Sequence, residues 1–135
     1  MSKIISVFVS HSWDNIKDLD DLRRLLENRG YFKVEFMQVE PSNPINSDNS
    51  TYIKSVLRRN IQNSNVVVGL GGMYASYSAW MEWELKTARE EGKKIVGVIP
   101  WGQERVSKVV SQYSNEIVRW NTESIVEAIR RNSDI

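Results

Sequence analysis

The residues of this chain best suited to chemistry are carboxylates, because cysteine is absent and His11 is the single histidine. One stretch sets two of them behind a small-residue turn: Gly71-Gly72-Met73-Tyr74-Ala75-Ser76-Tyr77-Ser78-Ala79-Trp80-Met81-Glu82-Trp83-Glu84-Leu85. Glu82 has Lys86 four residues on, the spacing of a solvated helical ion pair. Glu84 lacks such a partner, since its helical neighbours at three and four residues are Trp80, Met81, Thr87 and Ala88. A carboxylate framed in this way is partly desolvated, which raises its pKa, while the nearby helix start opposes the rise. The sequence therefore predicts an ionised, reactive Glu84 near neutral pH.

The elements that must position Glu84 are legible as alternating patterns. Residues 66–70, Val-Val-Val-Gly-Leu, read as a buried central strand. Residues 4–9 are apolar on both faces, as in a strand covered on two sides. Asp14 can cap the next helix, whose stripe is Ile16, Leu19, Leu22 and Leu26 and whose stop is Gly30. Residues 31–39 alternate Phe32, Val34 and Phe36 with Lys33 and Glu35, the pattern of a strand nearer the sheet edge. A polar loop from Glu40 to Ser50 carries two prolines, and loops of this size in compact domains are often functional.

Ile53, Val56, Leu57 and Ile61 then mark a second helix. The helix opening at Trp80 runs to Gly92, and residues 94–99 form a fourth strand ended by Pro100. A helix with Val106, Val109, Val110 and Tyr113 follows, then a short strand at 116–120. Asn121 caps a last helix that packs through Ile125, Val126 and Ile129. Five strands alternating with five helices predict a parallel sheet with helices on both faces. The apolar first, third and fourth strands suit the middle, so the expected architecture is a flavodoxin-like, three-layer α/β fold of strand order 2-1-3-4-5.

Composition narrows the function. At 135 residues, 41% of them apolar and 26% charged, the chain reads as one soluble domain spanning 1–135. A net charge of +1 provides no field for nucleic acid or an acidic membrane surface. Without cysteine there are no thiolate metal sites, and one histidine argues against a nitrogen-rich zinc site, so no metal is expected. The N-terminus lacks a signal-peptide pattern, and no apolar run approaches the ~20 residues of a membrane helix; a cytoplasmic location is expected.

In a parallel sheet every strand end that feeds a helix lies on one edge. Here those ends carry Ser10, His11, Ser12 and Trp13, then the 40–50 loop, then 71–80, Pro100-Trp101-Gly102 and Trp120-Asn121. All five tryptophans follow a strand, and they either plug the ends of the core or line an aromatic cleft; their gathering on one edge suggests the cleft. His11 can be a ligand contact or a turn residue. The glycines of 69–72 do not make a dinucleotide fingerprint, because Tyr74 stands at the third glycine position; they suit a tight turn and close ligand approach. Acids are missing at the ends of strands one and three, which excludes a phosphoacceptor receiver. Trp13 and Asp14 stand where a flavodoxin needs its phosphate loop.

At these residues the chain resembles TIR domains. Val7-Phe8-Val9-Ser10-His11-Ser12-Trp13-Asp14 is similar to their first strand and turn. Ser78-Ala79-Trp80-Met81-Glu82-Trp83-Glu84-Leu85 is similar to their Ser-x-Trp-Cys-x-x-Glu-Leu motif, with Met81 at the cysteine. The 40–50 loop lies where those domains carry the BB loop. Gly72-Met73-Tyr74-Ala75, Val98-Ile99-Pro100-Trp101-Gly102 and Val118-Arg119-Trp120-Asn121-Thr122 resemble, more closely, the TIR-like ThsB proteins of Thoeris anti-phage defence.

The resemblance implies an enzyme that uses NAD as substrate after phage infection, with Glu84 at the position of the catalytic glutamate. Ser10, His11, Ser12, Trp13, Met73, Tyr74, Ser78 and Trp80 become the expected substrate-binding residues. The product would be a cyclic ADP-ribose isomer or related conjugate acting on a separate, ThsA-like effector. A phage protein as trigger and a homo-oligomer formed through the Glu40 to Ser50 loop complete the implied partners. Two alternatives stay open: a TIR-like interaction module without catalysis, and another N-glycosidic enzyme such as a nucleoside deoxyribosyltransferase.

Overall fold

The computed structural model describes residues 4–12, 16–36, 50–72 and 79–135. Five strands, β1 (Ile5–His11), β2 (Phe32–Glu35), β3 (Val66–Leu70), β4 (Ile95–Val98) and β5 (Glu116–Val118), form one sheet of order β2-β1-β3-β4-β5. Every strand pair is parallel. Five helices alternate with the strands: α1 (Ile16–Arg29), α2 (Ser50–Asn63), α3 (Ala79–Glu90), α4 (Lys108–Tyr113) and α5 (Thr122–Asn132). The expected fold class and strand order are those observed. The second strand was expected to run to residue 39, but pairing with β1 ends at Glu35, and residues 37–49 lie outside the described set.

Two cores sandwich the sheet, and the period of two along each strand decides which residue enters which. Val7 and Val9 of β1 join Val66, Val68 and Leu70 of β3 under α1 and α5, whose Leu19, Leu22, Leu26, Ile125 and Ile129 close that layer. Phe8 and Val67 point the other way, against Ile53, Leu57 and Ile61 of α2, Met81, Leu85 and Ala88 of α3, and Val110 of α4. Helix α1 stops where predicted, because Gly30 takes φ 88°, a left-handed turn that a side chain disfavours. Ser107 caps α4 and Asn121 caps α5, each accepting from a backbone N–H in the first turn.

The carboxyl edge is tied together between neighbouring loops. Ser107 N–H donates to the Gly71 carbonyl at 2.7 Å, and Gly72 bridges Val106 in antiparallel fashion. The chain leaving β3 and the chain leading into α4 are thereby held side by side. The glycines at 71 and 72 serve this packing: a Cβ on Gly71 would lie 3.0 Å from Met81 Cε, and one on Gly72 1.8 Å from Gln103 Oε1. Neither has a positive φ, so the close approach they allow is that of the protein to itself.

Candidate active site

Strand β1 occupies the interior of the sheet, and its last turn of alternation separates the two residues that follow Val9. Ser10 pairs with Gly69 and faces α3, while His11 pairs with Leu70 and faces the α1 side. Ser10 is wholly buried, and its hydroxyl donates to Oε1 of Glu84 at 2.8 Å. Glu84 comes from the middle of α3 and is 5% exposed. This single hydrogen bond ties the interior strand β1 to helix α3.

A row of small residues lets α4 settle close onto the strands beside this pair. Ser10, Gly69 and Gly97 are successive register partners across β1, β3 and β4. A Cβ on Gly69 would stand 3.3 Å from Val110 Cγ1 and 3.7 Å from Leu85 Cδ2, and one on Gly97 2.7 Å from Ser114 Oγ. The two glycines were not singled out from the sequence for this purpose, although an isolated glycine within an apolar strand is the signal for close approach.

Burial pushes the Glu84 carboxyl up to about 8, with the Ser10 hydrogen bond opposing the rise. The expectation of an ionised group is thus corrected: at neutral pH the resting carboxyl is mainly protonated. Two physical reasons account for it. Glu84 sits on the stretch of α3 where Met81, Leu85, Thr87 and Ala88 are also buried. Glu84 also lies beyond the first turn of α3, where the field of a helix N-terminus has largely decayed.

Of the other expected site residues, Ser12 is buried just past β1, its N–H donating to the Leu70 carbonyl at 3.3 Å. Trp80 lies one helical turn before Glu84, half-buried, with its ring edge-on to Trp83 at 6.2 Å. His11 lies on the opposite face of the sheet, edge-on to Phe36 at 6.1 Å, and desolvation lowers its pKa to about 4. It is a neutral imidazole that does not share the Glu84 side. Trp13, Met73, Tyr74 and Ser78 lie outside the described residues, as do most of the 40–50 loop positions.

The single aromatic cleft is also corrected. Trp83 packs on the α2–α3 core beneath the Arg58 guanidinium, 5.7 Å from the ring, whereas Trp120 packs on the α1–α5 core. Trp101 is 71% exposed on the loop after β4. The tryptophans that follow strands are divided between the two helical layers because α1 and α5 cover one face of the sheet and α2, α3 and α4 the other. A cavity of about 370 Å³ lies on the α1 side, lined by Ile16, Lys17, Leu19, Asp20, Arg23 and Phe36. It adjoins the ring that His11 touches and is separated from Glu84 by the sheet. Among the described residues no cluster of three histidine or carboxylate side chains could hold a metal ion, and no helix is long and apolar enough to cross a membrane.

A parallel sheet of this order between two helical layers, with a buried carboxyl held from its interior strand β1, defines a flavodoxin-like α/β protein with a candidate site at the carboxyl edge. A family model for the TIR-like domain of the Thoeris protein ThsB matches residues 8–105, and the chain belongs to that family. No curated protein matches it. Among solved structures, a 2-deoxyribosyltransferase from the psychrotolerant bacterium Bacillus psychrosaccharolyticus is similar at TM-score 0.64 and 15% identity, over 89% of each chain. A CMP N-glycosidase from Clostridium botulinum is similar at TM-score 0.56 and 17% identity, over 93% of this chain and 98% of that one. A 3-dehydroquinate dehydratase-like protein from Bifidobacterium longum reaches TM-score 0.52 at 17% identity, over 98% of this chain and 95% of that one. At these identities the likeness is one of fold.

Proposed function

We propose that this protein cleaves NAD at the nicotinamide–ribose bond, with Glu84 as the catalytic carboxylate. The observation that carries the reading is a glutamate 5% exposed at the ligand edge of a ThsB TIR-like domain, held by one hydroxyl. The bond to be broken already has a cationic leaving group. Nicotinamide departs neutral, taking the bond's electron pair onto its ring nitrogen, so a general acid is unnecessary. The two-carboxylate requirement of ordinary glycoside hydrolysis relaxes to one. That one must be ionised to stabilise the oxocarbenium-like transition state.

The protonated resting state of Glu84 fits this chemistry through the substrate. A pyridinium ring brought beside the group favours its charged form, so NAD arrival promotes loss of the proton to solvent. The sugar cation is then captured by a hydroxyl of the same or another molecule, whose proton leaves in the same step, or by the lone pair of an unprotonated ring nitrogen, which has no proton to lose at that atom. Exclusion of water decides whether a cyclic ADP-ribose-type product or free ADP-ribose results. In this reading the nucleotide product acts on a separate effector, a phage component triggers the enzyme, and protomers meet through the 40–50 loop.

The test is nicotinamide release from NAD by purified protein, alone and with extract of phage-infected cells. Wild type releases nicotinamide, and Glu84→Gln loses the activity by about 100-fold or more while keeping its fold, because the amide oxygen still accepts from Ser10. Full activity in Glu84→Gln removes the site assignment. Inert wild type in both conditions favours an interaction module. The two fold relatives named for deoxyribosyl transfer and CMP N-glycoside cleavage make 2′-deoxynucleosides and CMP the controls for a second substrate class.

A further inference from the structure

We propose that Ser10 is the positioning residue of this site: its hydroxyl fixes Oε1 of Glu84 against the sheet and leaves Oε2 as the oxygen presented to substrate. The role rests on the NAD-cleavage reading of Glu84 and differs from the substrate contact expected of Ser10 from the sequence. Three observations carry it. Ser10 is fully buried, so its hydroxyl is closed to a ligand in this structure. Its Oγ stands 2.8 Å from Oε1, and Oε1 is the oxygen so engaged among the described residues. Its backbone is held in the sheet by pairing with Gly69 of β3, the glycine whose missing Cβ leaves room for Val110 of α4.

A hydroxyl is the right group for this task because it both donates and accepts. It donates to a carboxylate and can pair in either sense with the neutral acid, so Glu84 keeps one pose while its proton comes and goes. Among the described residues no other hydrogen bond shifts the ionisation of the carboxyl. On α3 its neighbours at helical spacing are Trp80, Met81, Thr87 and Ala88, Ser10 reaches it from β1, and among the described residues no charged side chain contributes to its ionisation. The adjacent titratable residue on β1, His11, lies across the sheet.

The experiment follows Glu84 in protein labelled with δ-¹³C glutamate, the resonance being identified by its loss in Glu84→Gln. Wild type, Ser10→Ala and Ser10→Thr are titrated by NMR and assayed for nicotinamide release. Ser10→Ala is expected to raise the Glu84 midpoint, to move the acidic limb of the kcat/KM profile to higher pH, and to lower kcat about 100-fold with KM within about threefold. Ser10→Thr, which keeps the hydroxyl, restores the midpoint and most of kcat. An unchanged midpoint and limb in folded Ser10→Ala, or no restoration in folded Ser10→Thr, overturns the role. Should Ser10→Ala not fold, wild type still decides. A slowly exchanging Ser10 hydroxyl proton that moves with the Glu84 carbon during titration supports the pairing, and its absence overturns it. Activity on NAD that is lost in Glu84→Gln but untouched in Ser10→Ala retains the enzyme and rejects the positioning role. Ser10-dependent titration in a protein inert toward NAD rejects the enzyme and retains the pairing.

Discussion

Glu84 loses its proton late because burial outweighs its one hydrogen bond, and the kinetics should carry that signature. With the carboxyl pushed up to about 8 in the free protein, the proposed NAD cleavage is expected to show a kcat/KM that rises with pH through that region. The limb in kcat is expected at lower pH, since the cationic ring of the proposed substrate stabilises a carboxylate beside it. A pH–rate series separates the two limbs, and coincident limbs would remove the part given to the pyridinium. The sequence marked Glu84 out from Glu82 because cationic neighbours are missing at helical spacing. It did not foretell the protonated state, for two reasons. The depth of a group in a folded layer has no local pattern. The partner that holds Glu84 lies 74 residues away, on a strand.

Among the elements, α4 and the strands beneath it depend on glycines that carry no catalytic group. Gly97→Ala would put a Cβ 2.7 Å from Ser114 Oγ, 2.9 Å from Val110 Cγ1 and 3.2 Å from Ile117 Cγ1. Backbone and branched side chains must shift, and a loss of about 1–3 kcal/mol is expected by urea unfolding. Gly72→Ala meets the far end of the Gln103 side chain, which can swing aside, so its loss is expected to be clearly smaller. The elements themselves were legible: apolar stripes marked α1, α2 and α5, and unbroken apolar runs marked β1, β3 and β4 as central. The tryptophans misled because their chain positions report the sheet edge but not the face. Trp83 and Trp120 follow strands alike and pack on different cores.

For the whole molecule, two buried groups oppose one another in the pH dependence of stability. Glu84 is protonated when folded and ionised when unfolded between the ordinary carboxylate value, 4.5, and about 8, so its contribution to stability falls as pH rises through that window. His11 is neutral when folded and protonated when unfolded between about 4 and 6.5, so its contribution falls as pH drops. The two slopes cancel where the windows overlap, and stability is expected to be flat from about pH 5 to 6 and to decline toward pH 8. Urea midpoints across this range check it: Glu84→Gln should abolish the alkaline decline and gain a few kcal/mol at pH 8. A decline that persists in Glu84→Gln would assign it to another group.

Strand β1 has, in effect, a reading frame. Its odd and even positions belong to different cores, and Ser10 and His11 are the last pair that the frame sorts. Slipping the strand by one residue against β3 would turn the imidazole toward Glu84 and the hydroxyl toward Phe36, and would exchange Val7 and Val9 with Phe8 between the two layers. A one-residue insertion or deletion ahead of Ser10 is therefore a frameshift in three dimensions. The length of the chain from Ile5 to Val9 is as much a part of the site as the carboxyl itself.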